Sequence, residues 1–353
     1  MRFRLLGQSG LRVSELCLGT MTFGQQRNSW GANKEDSRAV FDRYVEAGGN
    51  FIDTANGYQL GQSETFLSEF IAPNRGDFII ATKFTFGGKP NDPNSCGNHR
   101  KSMVQALEAS LRRLKTDYVD LYWMHAWDGI TPQEEVLRAM DDLVRAGKVL
   151  YIGISDTPAW VVSRSQAIAE LRGWTSLAAI QIPYSLVERT PERELIPMCS
   201  ALGLSVTVWG ALGSGLLSGK YRPNDTDNKT VGRLNDPMFA GRRMNERNFA
   251  IVDEVTRIAT EIGATPSQVA LAWVRARSPF IIPIIGARTA AQLDDNLGCL
   301  NVALSGEHMG RLEKSSAIEL GFPHEFLAGE MIRTMMFAGA ASRIDAPPPR
   351  SRV

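Results

Sequence analysis

From about residue 15 to residue 300, short apolar runs rich in β-branched residues alternate with longer amphipathic stretches, and this alternation constrains the fold more than any other feature of the chain. The runs are "ELCLGT" (15–20), "NFID" (50–53), "DFIIATKF" (77–84), "DYVDLYWMH" (117–125), "KVLYIGIS" (148–155), "LAAIQIPY" (177–184), "LSVTVWGAL" (204–212) and "FIIPIIG" (280–286). Between them lie helical stripes, such as Ala39, Val40, Tyr44 and Val45 within 34–49, or Val104, Leu107, Leu111 and Leu114 within 98–115. Further helices are predicted over 63–71, 132–147, 192–203 and 289–300. Strands that are apolar on both faces and separated by helices belong to a parallel sheet, and eight such units predict closure into an α/β fold, the (β/α)8 TIM barrel.

The departures from the repeat fill out the architecture. "FRLLGQSGLRVS" (3–14) reads as an N-terminal β-hairpin able to plug the barrel bottom. A long loop (219–243) follows the seventh strand, an extra helical pair spans 248–263 and 266–278, and another helix follows residue 305. The barrel unit is assigned to residues 1–328. Residues 329–353 form a C-terminal extension, amphipathic over "GEMIRTMMFAG" and then disordered over "DAPPPRSRV". The methionine-rich part of this extension is a possible homo-oligomer contact.

Charge and cysteine usage narrow the function. A net charge of +1 gives no electrostatic case for nucleic acid or an anionic membrane, and no segment approaches a membrane span. Cys17, Cys96, Cys199 and Cys299 are far apart, with no C-x-x-C pair and no histidine at metal-ligand spacing. They read as buried free thiols in a reducing cytoplasm, and no metal is expected.

In a barrel of this kind chemistry sits at the C-terminal ends of the strands. The second strand ends in Asp53, with Tyr58 in the next loop; the third ends in Lys83 and the fourth in His125. Each alone has a bland reading as a cap, a packed ring or a solvated charge. Together they assemble a proton donor: an ammonium favours phenolate, Asp53 can orient Lys83, and His125 can hydrogen-bond a carbonyl oxygen.

The segments "NFIDTANGYQLGQSE", "IIATKF", "DLYWMHAWD" and "GKVLYIGISD" resemble the aldo-keto reductase superfamily, in the branch with bacterial and potassium-channel β-subunit-like members. The resemblance implies that Tyr58, Lys83, Asp53 and His125 are the active-site tetrad and that the cofactor is NADPH/NADP+. It also implies that Ser155 and Gln181 hold the nicotinamide carboxamide, that Trp209 stacks on its ring, and that Gly19, Thr20 and Met21 lie near the ribose. The family often has Asn where this chain has Asp156. The glycine-rich run from Gly210 to Gly219, including Ala211, Leu212, Gly213 and Gly215, lets backbone N–H groups approach a pyrophosphate, although it fits neither the Rossmann nor the Walker pattern. Gly286, Arg288, Gln292 and Asn296 are implied to hold the adenine and its 2′-phosphate, aided by Lys220 and Arg233. Arg288 near a helix start suits a phosphate, which favours NADPH over NADH.

Three readings follow: an NADPH-dependent reductase of aldehydes or ketones, reversible toward the alcohol; a cofactor-sensing regulatory subunit; and a lyase or isomerase of phosphorylated sugars, which would leave Trp209 and Arg288 without a purpose. Trp30, Phe84 and Trp127 are the candidate substrate walls, for an apolar or aromatic small-molecule carbonyl compound.

Overall fold

A computed structural model describes residues 1–26, 31–221 and 244–345. Eight parallel strands close a barrel: β3 (Cys17–Gly19), β4 (Phe51–Asp53), β5 (Ile79–Phe84), β6 (Val119–Met124), β7 (Val149–Ser155), β8 (Leu177–Pro183), β9 (Ser205–Trp209) and β10 (Ile281–Ile285). Each pairs with its neighbour in the chain, and β10 returns to β3 through Ile284 opposite Cys17 and Ile285 opposite Leu18. The predicted (β/α)8 barrel is therefore the observed one.

Helices α1 (Lys34–Glu46), α2 (Gln62–Ile71), α3 (Arg100–Leu114), α4 (Gln133–Arg145), α5 (Ala159–Arg172) and α6 (Leu195–Leu202) separate the strands up to β9. The extra pair is α7 (Glu246–Ile262) and α8 (Pro266–Arg277), where Thr265 and Gln268 form a reciprocal capping box at the start of α8. After β10 comes α9 (Ala290–Leu297). Helix α5 is the one the periodicity does not reveal: its buried face mixes Val161, Val162 and Ala169 with Ser165 and Gln166, so it shows no clean apolar stripe. The Gln166 carbonyl earns that place by accepting the backbone N–H of Leu177, at the start of β8.

Strand parity decides what enters the barrel. Phe51, Ala81, Leu121, Trp123 and Ala179 pack together inside it, while Ile52, Ile80, Tyr122 and Ile180 join the layer between strands and helices. Two residues beyond an inward position the side chain points inward again. Asp53 thus stands above Phe51, Lys83 above Ala81, His125 above Trp123 and Gln181 above Ala179.

The bottom is closed as expected. β1 (Phe3–Leu5) and β2 (Arg12–Ser14) pair antiparallel, with Arg4 opposite Val13. Leu6 and Val13 are fully buried in the same cluster as the inward barrel residues. Gly7 donates its N–H to Ser205 Oγ (2.7 Å), and Arg4 Nη1 donates to the Ile281 carbonyl (2.7 Å).

Beyond α10 (Gly306–Ser315), the chain continues in α11 (His324–Ala328) and α12 (Glu330–Met336). Phe322, Phe326, Met331 and Met335 are exposed along this arm. The tail expected to be disordered lies, from residue 346 on, outside the described residues, as does most of the 219–243 loop. No helix among the described residues is long and apolar enough to cross a membrane. One cysteine expectation is corrected: Cys17, Cys199 and Cys299 are buried, but Cys96 is exposed, because it sits among turns between β5 and α3.

Candidate active site

At the mouth, Lys83 is fully buried and its ammonium has three acceptors: Asp53 Oδ2 at 2.5 Å, the Thr54 carbonyl at 2.7 Å and the Tyr58 hydroxyl at 3.1 Å. Burial alone would lower its pKa. The Asp53 carboxylate and the Tyr58 phenol outweigh that, and the pKa lies above the ordinary lysine value. Asp53 uses its second oxygen to accept Gln181 Nε2–H (2.9 Å), so its orientation is fixed from two sides.

Tyr58 begins a tight turn, Tyr58–Gly61, in which Gln59 and Leu60 both adopt left-handed backbone conformations (φ 49° and 56°). Such a turn is strained for residues with side chains, and it holds the phenol over the Lys83 ammonium. His125 meets the Tyr58 ring edge-on, with centroids 5.9 Å apart, and Phe86 covers it at 4.8 Å. Burial, and then the Lys83 charge, hold the imidazole pKa well below the ordinary histidine value. His125 is therefore a neutral hydrogen-bonding group near neutral pH.

Beside this cluster, Ser155 Oγ is buried and has no hydrogen-bond partner among the described residues. A buried hydroxyl without a partner costs about 1–3 kcal/mol, so this one fits a ligand amide. Gln181 adjoins Ser155 in the β7–β8 register. Trp209, at the end of β9, donates Nε1–H to Asp156 Oδ1 (3.1 Å). Asp156 has φ 42°, a left-handed conformation that aspartate tolerates better than most residues.

A second region extends from the mouth toward α9. A cavity of about 290 Å³ is lined by Gly210, Ala211, Leu212, Gly215 and Lys220 on one side and by Gly286, Arg288, Gln292 and Asn296 on the other. Gln292 Oε1 accepts the backbone N–H of Arg288 (3.0 Å), and Asn296 Nδ2 donates to the Gly286 carbonyl (3.4 Å), which stiffens the loop before α9. Gly213 and Gly215 have φ of 58° and 93°, left-handed conformations that favour glycine, and Ser214 between them is left-handed too at 60°. Gly213 itself is buried under the loop rather than on the cavity wall.

The sequence model of the aldo/keto reductase family matches residues 15–317. The chain belongs to the aldo-keto reductase family. Among similar proteins, a norsolorinic acid reductase of Emericella nidulans is 40% identical, covering 90% of this chain and 82% of its own length. An aryl-alcohol dehydrogenase of Pestalotiopsis microspora is 38% identical (94% and 87% covered), and an aldo-keto reductase of Aspergillus calidoustus is 35% identical (95% and 87%).

Within this aldo-keto reductase, the residues singled out in the sequence converge on one end of the barrel with few exceptions. Phe84 is the clear correction: it is fully buried, packs against Tyr122 at 5.1 Å, and faces the helices because Lys83, one residue earlier, faces the barrel. The aromatic residue at the mouth is Phe86, two residues beyond the end of β5, where its ring stands against His125. Thr20 is buried with its hydroxyl committed to Asp53 O (3.1 Å) and Ser63 Oγ (2.8 Å), so it braces the end of β3, with Gly19 before it and Met21 beyond. Thr22 and Asp295, not anticipated, line the long cavity. Trp30 and Arg233 lie outside the described residues. Trp127 lines a separate cavity of about 430 Å³ with Phe86, Lys89 and Cys96, and meets Trp160 edge-on at 5.7 Å. Among the described residues no group of His, Cys, Asp and Glu could hold a metal ion.

Proposed function

We propose that this chain is an NADPH-dependent reductase of aldehydes or ketones, reversible toward alcohol oxidation, with Tyr58 as general acid assisted by Lys83, Asp53 and His125. The observation that carries the reading is the Lys83 ammonium, 3.1 Å from the Tyr58 hydroxyl and pinned by Asp53. An ammonium in that position stabilises phenolate, which makes the phenol a better proton donor to a carbonyl oxygen gaining negative charge. The neutral imidazole of His125 can donate a hydrogen bond to the same oxygen without competing for its proton.

A bound reduced nicotinamide supplies the hydride that acid catalysis lacks. Ser155 and Gln181 suit its carboxamide, Trp209 offers a stacking face, and the glycine-rich turn admits a pyrophosphate close to backbone N–H groups. Lys220 and Arg288, both lining this cavity, supply the positive charge that a 2′-phosphate requires, which favours NADPH over NADH. The cavity between Phe86 and Trp127 suits an aryl carbonyl compound, in keeping with relatives named as norsolorinic acid reductase and aryl-alcohol dehydrogenase. The unpaired cysteines suit a reducing cytoplasm.

The test is the decay of NADPH absorbance with a panel of aromatic and aliphatic aldehydes and ketones, alongside the Tyr58→Phe protein. Turnover by the native chain that falls by about 100-fold or more in the variant, with NADPH binding retained, is the expected result. Tight NADPH binding without turnover on any carbonyl would instead favour a cofactor-sensing role.

A further inference from the structure

We infer that Asp156 makes the mouth of this barrel prefer the oxidised, cationic form of its nicotinamide over the neutral reduced form. The inference rests on the nucleotide-site reading above and extends it to the direction in which the site is biased.

Three observations carry it. Asp156 follows Ser155 at the end of β7 with a left-handed backbone (φ 42°), and the Lys83 charge acts on its carboxyl, which puts that carboxyl at the same mouth. Its Oδ1 accepts from the Trp209 indole (3.1 Å), which anchors the charge beside the ring suited to stacking. Among the described residues no cation stands within ion-pair distance of it: the nearby Lys83 ammonium is already paired with Asp53. The carboxyl keeps contact with solvent, yet the surrounding protein dehydrates it and pushes its pKa up to about 6, against the opposing Trp209 hydrogen bond and Lys83 charge. It is thus ionised at pH 7.5 or above, and a ligand seated over it would remove more of its water. A pyridinium offers compensating charge there; a dihydropyridine offers none.

Asn has the same shape and can still accept from the indole, so Asp156→Asn removes the charge and keeps the hydrogen bond. The experiment is equilibrium titration of the full chain, without carbonyl substrate, with NADP+ and with NADPH separately, followed by calorimetry. In Asp156→Asn the ratio Kd(NADP+)/Kd(NADPH) should rise about tenfold, mainly through weaker NADP+ binding. The native protein gives a check without substitution: the same ratio should rise between about pH 8 and pH 5 as the carboxyl takes up a proton. The other groups facing this region are the Lys83–Asp53 pair, the Tyr58 phenol and the neutral His125. A ratio unchanged in both comparisons, with both nucleotides still bound, overturns the inference and leaves the reductase reading standing. Failure of the native chain to bind either nucleotide overturns both.

Discussion

Lys83 is the residue with the most to lose. It is fully buried, and its charge is acceptable there only because Asp53, Thr54 and Tyr58 accept hydrogen bonds from its three N–H groups. Lys83→Met leaves Asp53 as a buried carboxylate with Gln181 as its remaining side-chain partner; it should cost about 3–5 kcal/mol in a denaturant titration and abolish carbonyl reduction. His125 gives a separate prediction. Its folded pKa is depressed, so as the pH falls through about 6.5 the unfolded chain takes up a proton that the folded one refuses, and stability declines toward acid. Asp156, whose folded pKa is raised, has the opposite sign: it holds a proton between about pH 6 and 4 that the unfolded chain has released, so its contribution grows as pH falls. Thermal melts from pH 8 to 5 should therefore show a smaller acid-side loss for His125→Gln than for the native chain; equal losses would mean that the imidazole is not held neutral.

At the scale of strands and helices, much of the site was legible because a strand has only two faces. Asp53, Lys83 and Gln181 could be placed at the mouth from the pattern of apolar runs, and the structure shows them joined by hydrogen bonds. Phe84 is not at the mouth, because Lys83 beside it faces the barrel and alternation turns neighbouring residues to opposite faces. Phe86 escaped notice because it lies beyond the strand, after Thr85 at φ 94°, where no periodicity operates. Helix α5 escaped for a different reason, its buried polar residues being satisfied by contacts that only the assembled barrel provides. Two consequences can be measured. Phe86→Ala should raise KM for aromatic carbonyl compounds about tenfold while changing that for small aliphatic ones little, since the ring lines the cavity with Trp127. Gly153→Ala in β7 should lower the melting temperature, at a cost of about 1–3 kcal/mol, because the added methyl would stand 2.3 Å from the Trp123 ring and 2.8 Å from the Ala179 carbonyl inside the barrel. A melting temperature unaltered by that methyl would show that the Trp123 ring has room to shift.

For the molecule as a whole, the C-terminal arm contrasts with the barrel. It is tied down by Arg193 Nη2 donating to the Glu319 carbonyl (2.8 Å) and by His324 beside Glu194 (3.1 Å), while Phe322, Phe326, Met331 and Met335 face solvent. A chain ending at Ala317 should bind less of a hydrophobic dye, yet melt within about 2 °C of the full chain, because little of the arm's apolar surface is packed away. A large loss of stability would show the arm to be part of the core. The hairpin floor implies something about synthesis. Arg4 finds its acceptor at Ile281, 277 residues later, and β3 has no second neighbour until β10 exists. On the ribosome, the first barrel strand made must therefore wait with a bare edge for the last, and a nascent chain halted before residue 281 exposes two pairing edges that only a chaperone or another chain can cover.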